Sequence, residues 1–168
     1  MGDSMIDLRE FSHNDINSIT KYANNYNVSR YMSSRMPYPF TRGDAEWWVE
    51  TGSRQAGLYK AVDLAAECIG VVGVRFRRFE YHHVAEIGYW IAEEHWGKGI
   101  ATEAVSKMTA LACAEKNILK LYAPVFSPNK ASMRVLEKCG YTLEAIHRKA
   151  VLKNDEFMDE HIYVRFFS

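Results

Sequence analysis

Two features of this chain could do chemistry together: a carboxylate on a strand-like stretch and a glycine-bearing bend that opens a helix. The stretch is Glu86-Ile-Gly-Tyr-Trp-Ile91, and the bend is Trp96-Gly-Lys-Gly-Ile-Ala-Thr-Glu103. Gly97 and Gly99 carry no side chain where the backbone must turn tightly, and so let a ligand approach the main chain. The helix that follows offers unpaired N–H groups from about Gly97 to Thr102, reinforced by the positive end of its dipole. Such a cradle suits an anion, a pyrophosphate above all, and Lys98 adds a cation at its rim. The bend is not a Walker loop, which needs Ser or Thr after Gly-Lys at a longer spacing. Nor is it the dinucleotide fingerprint, whose third glycine would fall at Thr102. A plain strand-to-helix connector is the competing reading, and the two glycines alone do not exclude it.

The elements that must hold these residues follow from periodicity. Met5–Phe11 alternates as a strand does. Ser12 with Asp15, and Thr41 with Asp44, are capping-box patterns, the first ahead of Ile16, Ile19 and Ala23, the second ahead of Ala45, Trp48 and Val49. Between those two helices Pro37 and Pro39 forbid regular structure. Leu58–Val62, Cys68–Phe79 and Val84–Ile91 read as three consecutive antiparallel strands. Ile100, Ala104, Met108, Leu111 and Ala112 then recur at helical spacing up to Asn117, a residue suited to ending a helix. Leu119–Phe126 is a strand. Pro128 suits the first turn of a short helix over Ala131, Val135 and Cys139, which Gly140 stops. Tyr141–His147 and Phe157–Phe166 form a closing hairpin around Lys153–Glu156. One strand, two helices and three strands, then a helix, a strand, a helix and two strands, describe one layered α/β domain spanning residues 1–168 with a mixed sheet.

Composition narrows the functions. A chain of 168 residues, 48% hydrophobic and 13% aromatic, buries a core without staples. Lys plus Arg and Asp plus Glu are 21 each, a balance that argues against binding nucleic acid as the main task. Cys68, Cys113 and Cys139 form no CxxC pair and read as small buried hydrophobes, not as a disulfide framework or a metal site. No stretch is long and apolar enough to span a membrane, and Met1–Arg9 lacks the basic flank and apolar run of a secretory signal. Gly2 is followed by Ile6 where a myristoylation signal wants Ser or Thr. The expected setting is the cytoplasm, away from membranes.

Taken end to end, the chain resembles the GNAT superfamily of N-acetyltransferases, and within it the ribosomal-protein N-terminal acetyltransferase (RimJ/RimL-like) branch. The superfamily signature Arg/Gln-x-x-Gly-x-Gly/Ala falls on Trp96 to Ala101, with Trp96 in place of the basic or amide residue. Glu86-Ile-Gly-Tyr-Trp90, Ala101-Thr-Glu-Ala104, Asn129-Lys-Ala-Ser132, Val135 to Tyr141, Leu8-Arg9 and Met36 to Thr41 carry the same likeness. The resemblance implies a mostly antiparallel sheet flanked by helices, two of whose strands splay to form an acetyl-CoA cleft. It implies acetyl-CoA as cosubstrate, no metal, an amine acceptor as partner, and a monomer or homodimer. The cofactor would be held by Trp90, Ile91, Trp96, Gly97, Lys98, Gly99, Ile100, Ala101 and Thr102, with Asn129 and Ser132 approaching from the other side. Pantetheine would add to the strand near Trp90 and Ile91, satisfying backbone hydrogen bonds.

Acyl transfer to an amine needs a neutral nitrogen, a stabilised oxyanion and a departing thiolate. An α-amine, with a pKa near ~7.7–8.0, needs far less help than a lysine amine near ~10.4. Glu86 matches the catalytic glutamate of histone-type members and is the first candidate base; an ion pair with a basic neighbour is its structural alternative. Buried and unpaired, it would titrate above its ordinary range. Ser132 is the candidate hydrogen donor to the thiolate, with a helix-end hydroxyl as its alternative. Many superfamily members carry a tyrosine four residues on, where this chain has Leu136. A backbone N–H near Ile91 would hold the oxyanion. His82 and His83 read as hairpin surface and His95 as a turn residue. Arg75, Arg77 and Arg78 read as a solvated basic edge that discourages strand pairing, or as a contact for an acidic substrate. Trp47 is expected in the core and Trp48 in the cleft wall. The acceptor reads first as a protein or peptide α-amine. A polyamine, amino acid or aminoglycoside is the second reading, with Asp155, Glu156, Asp159 and Glu160 as a cation contact. A non-catalytic coenzyme A-binding module is the third.

Overall fold

A computed structural model of the protein describes residues 3–168, the Lys116 side chain excepted. The Gly2 position weighed above therefore lies outside the described residues. In chain order the elements are β1 (Asp7–Arg9), α1 (Ile16–Ala23), α2 (Tyr26–Ser29), α3 (Arg42–Glu50), β2 (Gly57–Leu64), β3 (Glu67–Phe76) and β4 (Val84–Ile91). Then follow α4 (Ile100–Lys116), β5 (Lys120–Phe126), α5 (Lys130–Lys138), β6 (Thr142–Lys153) and β7 (Glu156–Phe166). One seven-stranded sheet runs β1-β2-β3-β4-β5-β7-β6. Every neighbouring pair is antiparallel except β4 and β5.

The predicted caps explain where the helices begin. Thr41 Oγ1 accepts the Asp44 N–H while Asp44 accepts the Thr41 N–H, a reciprocal box that starts α3. Asp15 likewise accepts the Ser12 N–H at 2.8 Å. Asn117 closes α4 in the left-handed region, φ 52°, and Gly140 follows α5 at φ 84°. α2 is an addition to the expected order; Asn25 caps it by accepting the Asn27 N–H at 2.9 Å. Pro128 lies ahead of α5, whose cap is Asn129, rather than inside its first turn.

Two strands are shorter than alternation suggests. β1 keeps only Asp7–Arg9 because the N–H groups of Met5 and Ile6 turn to the Glu103 carboxylate on α4. β3 stops at Phe76; the chain then enters a single 3-10 turn, Phe79–Tyr81, with Phe79 at φ 56°. Trp47 is a correction: it is 51% exposed, because the core-facing positions of α3 are Ala45, Trp48 and Val49, and residue 47 falls off that stripe. Trp48 in turn packs edge-on against Phe11 and Tyr59, at 5.8 and 5.1 Å between centroids, against the core and outside the cleft.

Register assigns the two faces of the sheet. Tyr59, Gly73 and Gly88 form one row across β2, β3 and β4, and Trp48 on Tyr59 places α3 over that face. Glu86, two residues from Gly88, shares it. Tyr89 points to the opposite face, where α5 lies. Ile100, Ala104, Val105, Met108 and Ala112 of α4 are fully buried in the single core, and each large aliphatic so buried contributes about 1.5–3 kcal/mol.

Candidate acetyl-CoA cleft

β4 and β5 pair only at Val84–Lys120, Ala85–Leu121 and Glu86–Tyr122; beyond Glu86 they part. Ala92 N–H donates to Ile69 O on β3 at 2.8 Å. By the two-residue period of a ladder, the main-chain groups of Trp90 also face β3, while those of Ile87, Tyr89 and Ile91 face the gap. The strand surface open to an extended ligand thus centres on Tyr89 and Ile91, not on Trp90 and Ile91. Trp96 sets a limit on it: its indole N–H donates to Ile91 O at 2.8 Å, which fastens the loop to the strand and leaves the Ile91 N–H as the open group.

Below the gap the bend is built as the spacing suggests. Gly97 and Gly99 stand at φ 72° and 79°, where a side chain is strained. A Cβ at Gly97 would meet nothing within 4 Å. Gly99 caps α4 with no side-chain hydrogen bond to the first-turn N–H groups, so these remain directed outward.

Splay and bend meet in a cleft of about 580 Å³, within the range for small-molecule sites. Trp90, Ile91, Trp96, Gly97, Gly99, Ile100, Ala101, Thr102, Asn129 and Ser132 all line it. Lys98 does not: its ammonium donates to Glu94 O at 3.2 Å. Asn129 both caps α5, accepting the Ser132 N–H at 3.3 Å, and lines the cleft. A wider hollow of about 950 Å³ beside Arg9 and Asp15 opens at the β1 edge and holds none of the motif.

Some lining residues went unread in the sequence. Lys130, Arg134 and Lys138 stand at the cleft, one turn apart along α5, and their i, i+4 spacing is a signal that could have found them. They give an anionic ligand a cationic bank facing the glycine bend. Tyr89 is the other: its hydroxyl crosses the gap and donates to Ser132 Oγ at 2.9 Å. His95 lies in the 3-10 turn Glu93–His95 and lines the cleft, with its Nδ1 buried and unpartnered among the described residues.

Glu86 is placed outside the cleft lining, on the α3 face of β4. It is not a lone buried acid: its carboxylate is 24% exposed and ion-paired with Arg75 directly across on β3. Arg75 therefore sits inside the sheet on a paired strand and is not part of a solvated edge, whereas Arg77 lies over the Tyr81 ring at 4.1 Å.

Comparison with known proteins decides the family. The acetyltransferase (GNAT) domain matches residues 6–142. The chain belongs to the GNAT acetyltransferase family. Among curated relatives, an uncharacterised N-acetyltransferase of Bacillus subtilis, YoaA, is 35% identical over 97 residues, covering 58% of this chain and 54% of that protein. The ribosomal-protein-serine acetyltransferase of Escherichia coli is 31% identical over 100 residues, 59% of this chain and 55% of that one. This chain thus spans about half the length of both. Over nearly the whole fold, spermidine N-acetyltransferase from Vibrio cholerae in complex with CoA and spermine superposes with a TM-score of 0.82 at 23% identity, covering 98% and 96% of the two chains.

GNAT acetyltransferases use acetyl-CoA, and the cleft of this domain suits it. The open cradle at Gly97 with the outward N–H groups of α4, the basic row on α5 and the unpaired main chain of β4 suit, in turn, a diphosphate, further phosphate and an amide-bearing arm. Among the described residues no group of His, Cys, Asp or Glu is placed to hold a metal, and no helix is long and apolar enough to cross a membrane.

Proposed function

We propose that the domain transfers the acetyl group of acetyl-CoA to the α-amine of a protein or peptide N-terminus by direct attack. The observation that carries this reading is the Glu86–Arg75 ion pair. The carboxylate is engaged by a guanidinium and stands outside the cleft lining, so it reaches an amine only through water. It suffices, through water, for an α-amine near ~7.7–8.0, already about a tenth free at neutral pH, and is poorly matched to a lysine or polyamine amine near ~10.4.

Two of the four hairpin acids fit the same reading. Asp159 accepts from Arg148 and from the Lys149 N–H, both at 2.8 Å, and Glu160 lies 4.0 Å from His147. Asp155 and Glu156 stay exposed beside them, so this half of the cluster remains open to a cation. A small-molecule amine is the second reading, favoured by the fold shared with the spermine-bound enzyme. The E. coli relative, by its name, acts on a ribosomal protein.

In this reading the two chemical tasks fall on opposite faces of β4. Glu86 receives the amine's proton on the α3 face, and Ser132 on α5 gives a hydrogen to the departing sulfur. The Ile91 N–H, facing the gap, supplies charge stabilisation to the acyl oxygen. Acetyl-CoA brings the activated thioester; the protein positions it and excludes competing water.

The test follows free thiol release from acetyl-CoA with panels of N-terminal peptides, lysine side-chain peptides and polyamines. Peptide α-amines should turn over, with kcat/KM rising with pH through about 8 as the amine deprotonates. Turnover of polyamines alone would replace this reading with the second. Glu86→Gln should lower kcat/KM for α-amines about tenfold and for lysine amines more; equal losses would remove Glu86 as the base.

A further inference from the structure

We propose that Tyr89 is a positioning residue that aims the Ser132 hydroxyl hydrogen at the coenzyme A sulfur as the acetyl group leaves. The inference rests on the reading of Ser132 as donor to that sulfur and adds the group that directs it. A serine hydroxyl has one hydrogen to give and two lone pairs to accept with. Tyr89 donates to Ser132 Oγ at 2.9 Å, so one lone pair is filled and the serine hydrogen must point away from the ring. Among the described residues no protein group accepts that hydrogen.

Both side chains line the cleft, one from each wall of the splay. The phenol comes from β4, which is fixed on both flanks near its start, and the serine from the first turn of α5, which Asn129 caps. α5 supplies no phenol of its own, since Leu136, one turn on, is 1% exposed in the core. Burial pushes the Tyr89 phenol up to about 12, against a smaller opposing pull from Ser132. The ring therefore remains a donor throughout the range in which a free amine reacts.

The step balances within the ternary complex. The acceptor nitrogen bonds to the acetyl carbon, the carbon–sulfur bond breaks, and its electron pair stays on sulfur. Sulfur takes the Ser132 hydrogen, and the Tyr89 hydrogen moves to Ser132 Oγ. The phenolate is restored by the proton that the amine gives up to Glu86, passed on through solvent. No oxidant or further reactant is needed.

Four proteins test this: wild type, Tyr89→Phe, Ser132→Ala and the double variant, each assayed by thiol release with a reactive amine and by calorimetry with coenzyme A. Tyr89→Phe should lower kcat about tenfold, with the KM for acetyl-CoA and the affinity for coenzyme A within twofold of wild type. In the Ser132→Ala background the same change should cost nothing further. Independent, multiplying losses, or a defect confined to KM or affinity, would make Tyr89 a structural strut and overturn the proposal. Full activity of Ser132→Ala would remove Ser132 as donor and the proposal with it. A loss in Ser132→Ala alone would remove only Tyr89. Should Tyr89→Phe fold poorly, 3,5-difluorotyrosine at position 89 keeps the shape and makes the phenol more acidic. An alkaline fall in kcat at lower pH than in wild type is then expected, and an unmoved profile would overturn the relay.

Discussion

Replacing Gly99 with valine is expected to weaken coenzyme A binding about 100-fold in calorimetry, with only a small loss of fold stability. Room is not the problem: the nearest atom to a Cβ there is Met5 Cε at 3.7 Å. The problem is φ, which at 79° puts the residue in the left-handed region. A non-glycine residue there costs roughly 1–2 kcal/mol, and a β-branched one more. The chain escapes by rotating toward negative φ, and that swings the N–H groups of Ile100, Ala101 and Thr102 off their common target. Anion contacts at a helix start are charge-assisted and directional, so losing their alignment adds to the strain. Two such contributions, at about 1.4 kcal/mol per factor of ten, give the stated loss. Gly99→Ala, with the strain but no branching, should lose about tenfold. An unchanged affinity for the valine variant would show that the bend is a connector after all.

What the sequence made legible was mostly local. Thr41 with Asp44, Asn117, and Gly140 each announce a helix boundary through chemistry within a few residues, and the structure puts the boundaries there. The glycine bend is local too, and so the cleft-lining residues from Trp96 to Thr102 could be named, Lys98 alone turning aside. What required the fold was register and distance. Glu86 could be placed on a strand, but its pairing with Arg75 depends on which β3 residue stands opposite. Alternation puts Glu86, Gly88 and Trp90 on one face; which main-chain groups then look into the gap follows only from the Ala92–Ile69 bond. Tyr89 and Ser132 are 43 residues apart, and nothing in either segment announces the other. The basic row on α5 is the opposite case, a helical spacing present in the sequence whose meaning appears once α5 is seen to face the cleft.

Arg9→Ala is expected to destabilise the domain by about 3 kcal/mol at neutral pH, and the loss should shrink as the pH falls. The Arg9 guanidinium forks onto both oxygens of Asp15, at 2.8 and 2.9 Å, and its Nε donates to Asp63 at 2.5 Å. Asp15 is only 4% exposed at its side chain, and without Arg9 it keeps a single partner, the Ser12 N–H at 2.8 Å. Removing one member of a buried pair costs about 3–5 kcal/mol, because a charge is left buried and uncompensated. Arg9 itself is 33% exposed, so water can partly replace it, and the lower end applies. For a domain of this size that is a fall in Tm of roughly 6–12 °C. The pH dependence follows from the carboxyl. Burial alone would raise it, but the hydrogen bonds from Arg9 and Ser12 and the guanidinium charge outweigh burial and hold it below its ordinary value. A carboxyl depressed in the folded state stabilises fully above its unfolded pKa of ~3.9 and loses that contribution as pH falls through the folded value. In Arg9→Ala burial dominates, the carboxyl titrates above ~3.9, and protonation relieves the variant while it weakens the wild type. Urea midpoints measured from pH 7 to pH 3 should therefore converge, and a gap that stays constant would mean that Asp15 is not the group left stranded. Asp15→Asn, which removes the charge and keeps the shape, should recover part of the stability in the Arg9→Ala background and cost stability in the wild type. That reversal of sign cannot arise from lost packing at Arg9 alone, and it ties the effect to the charge.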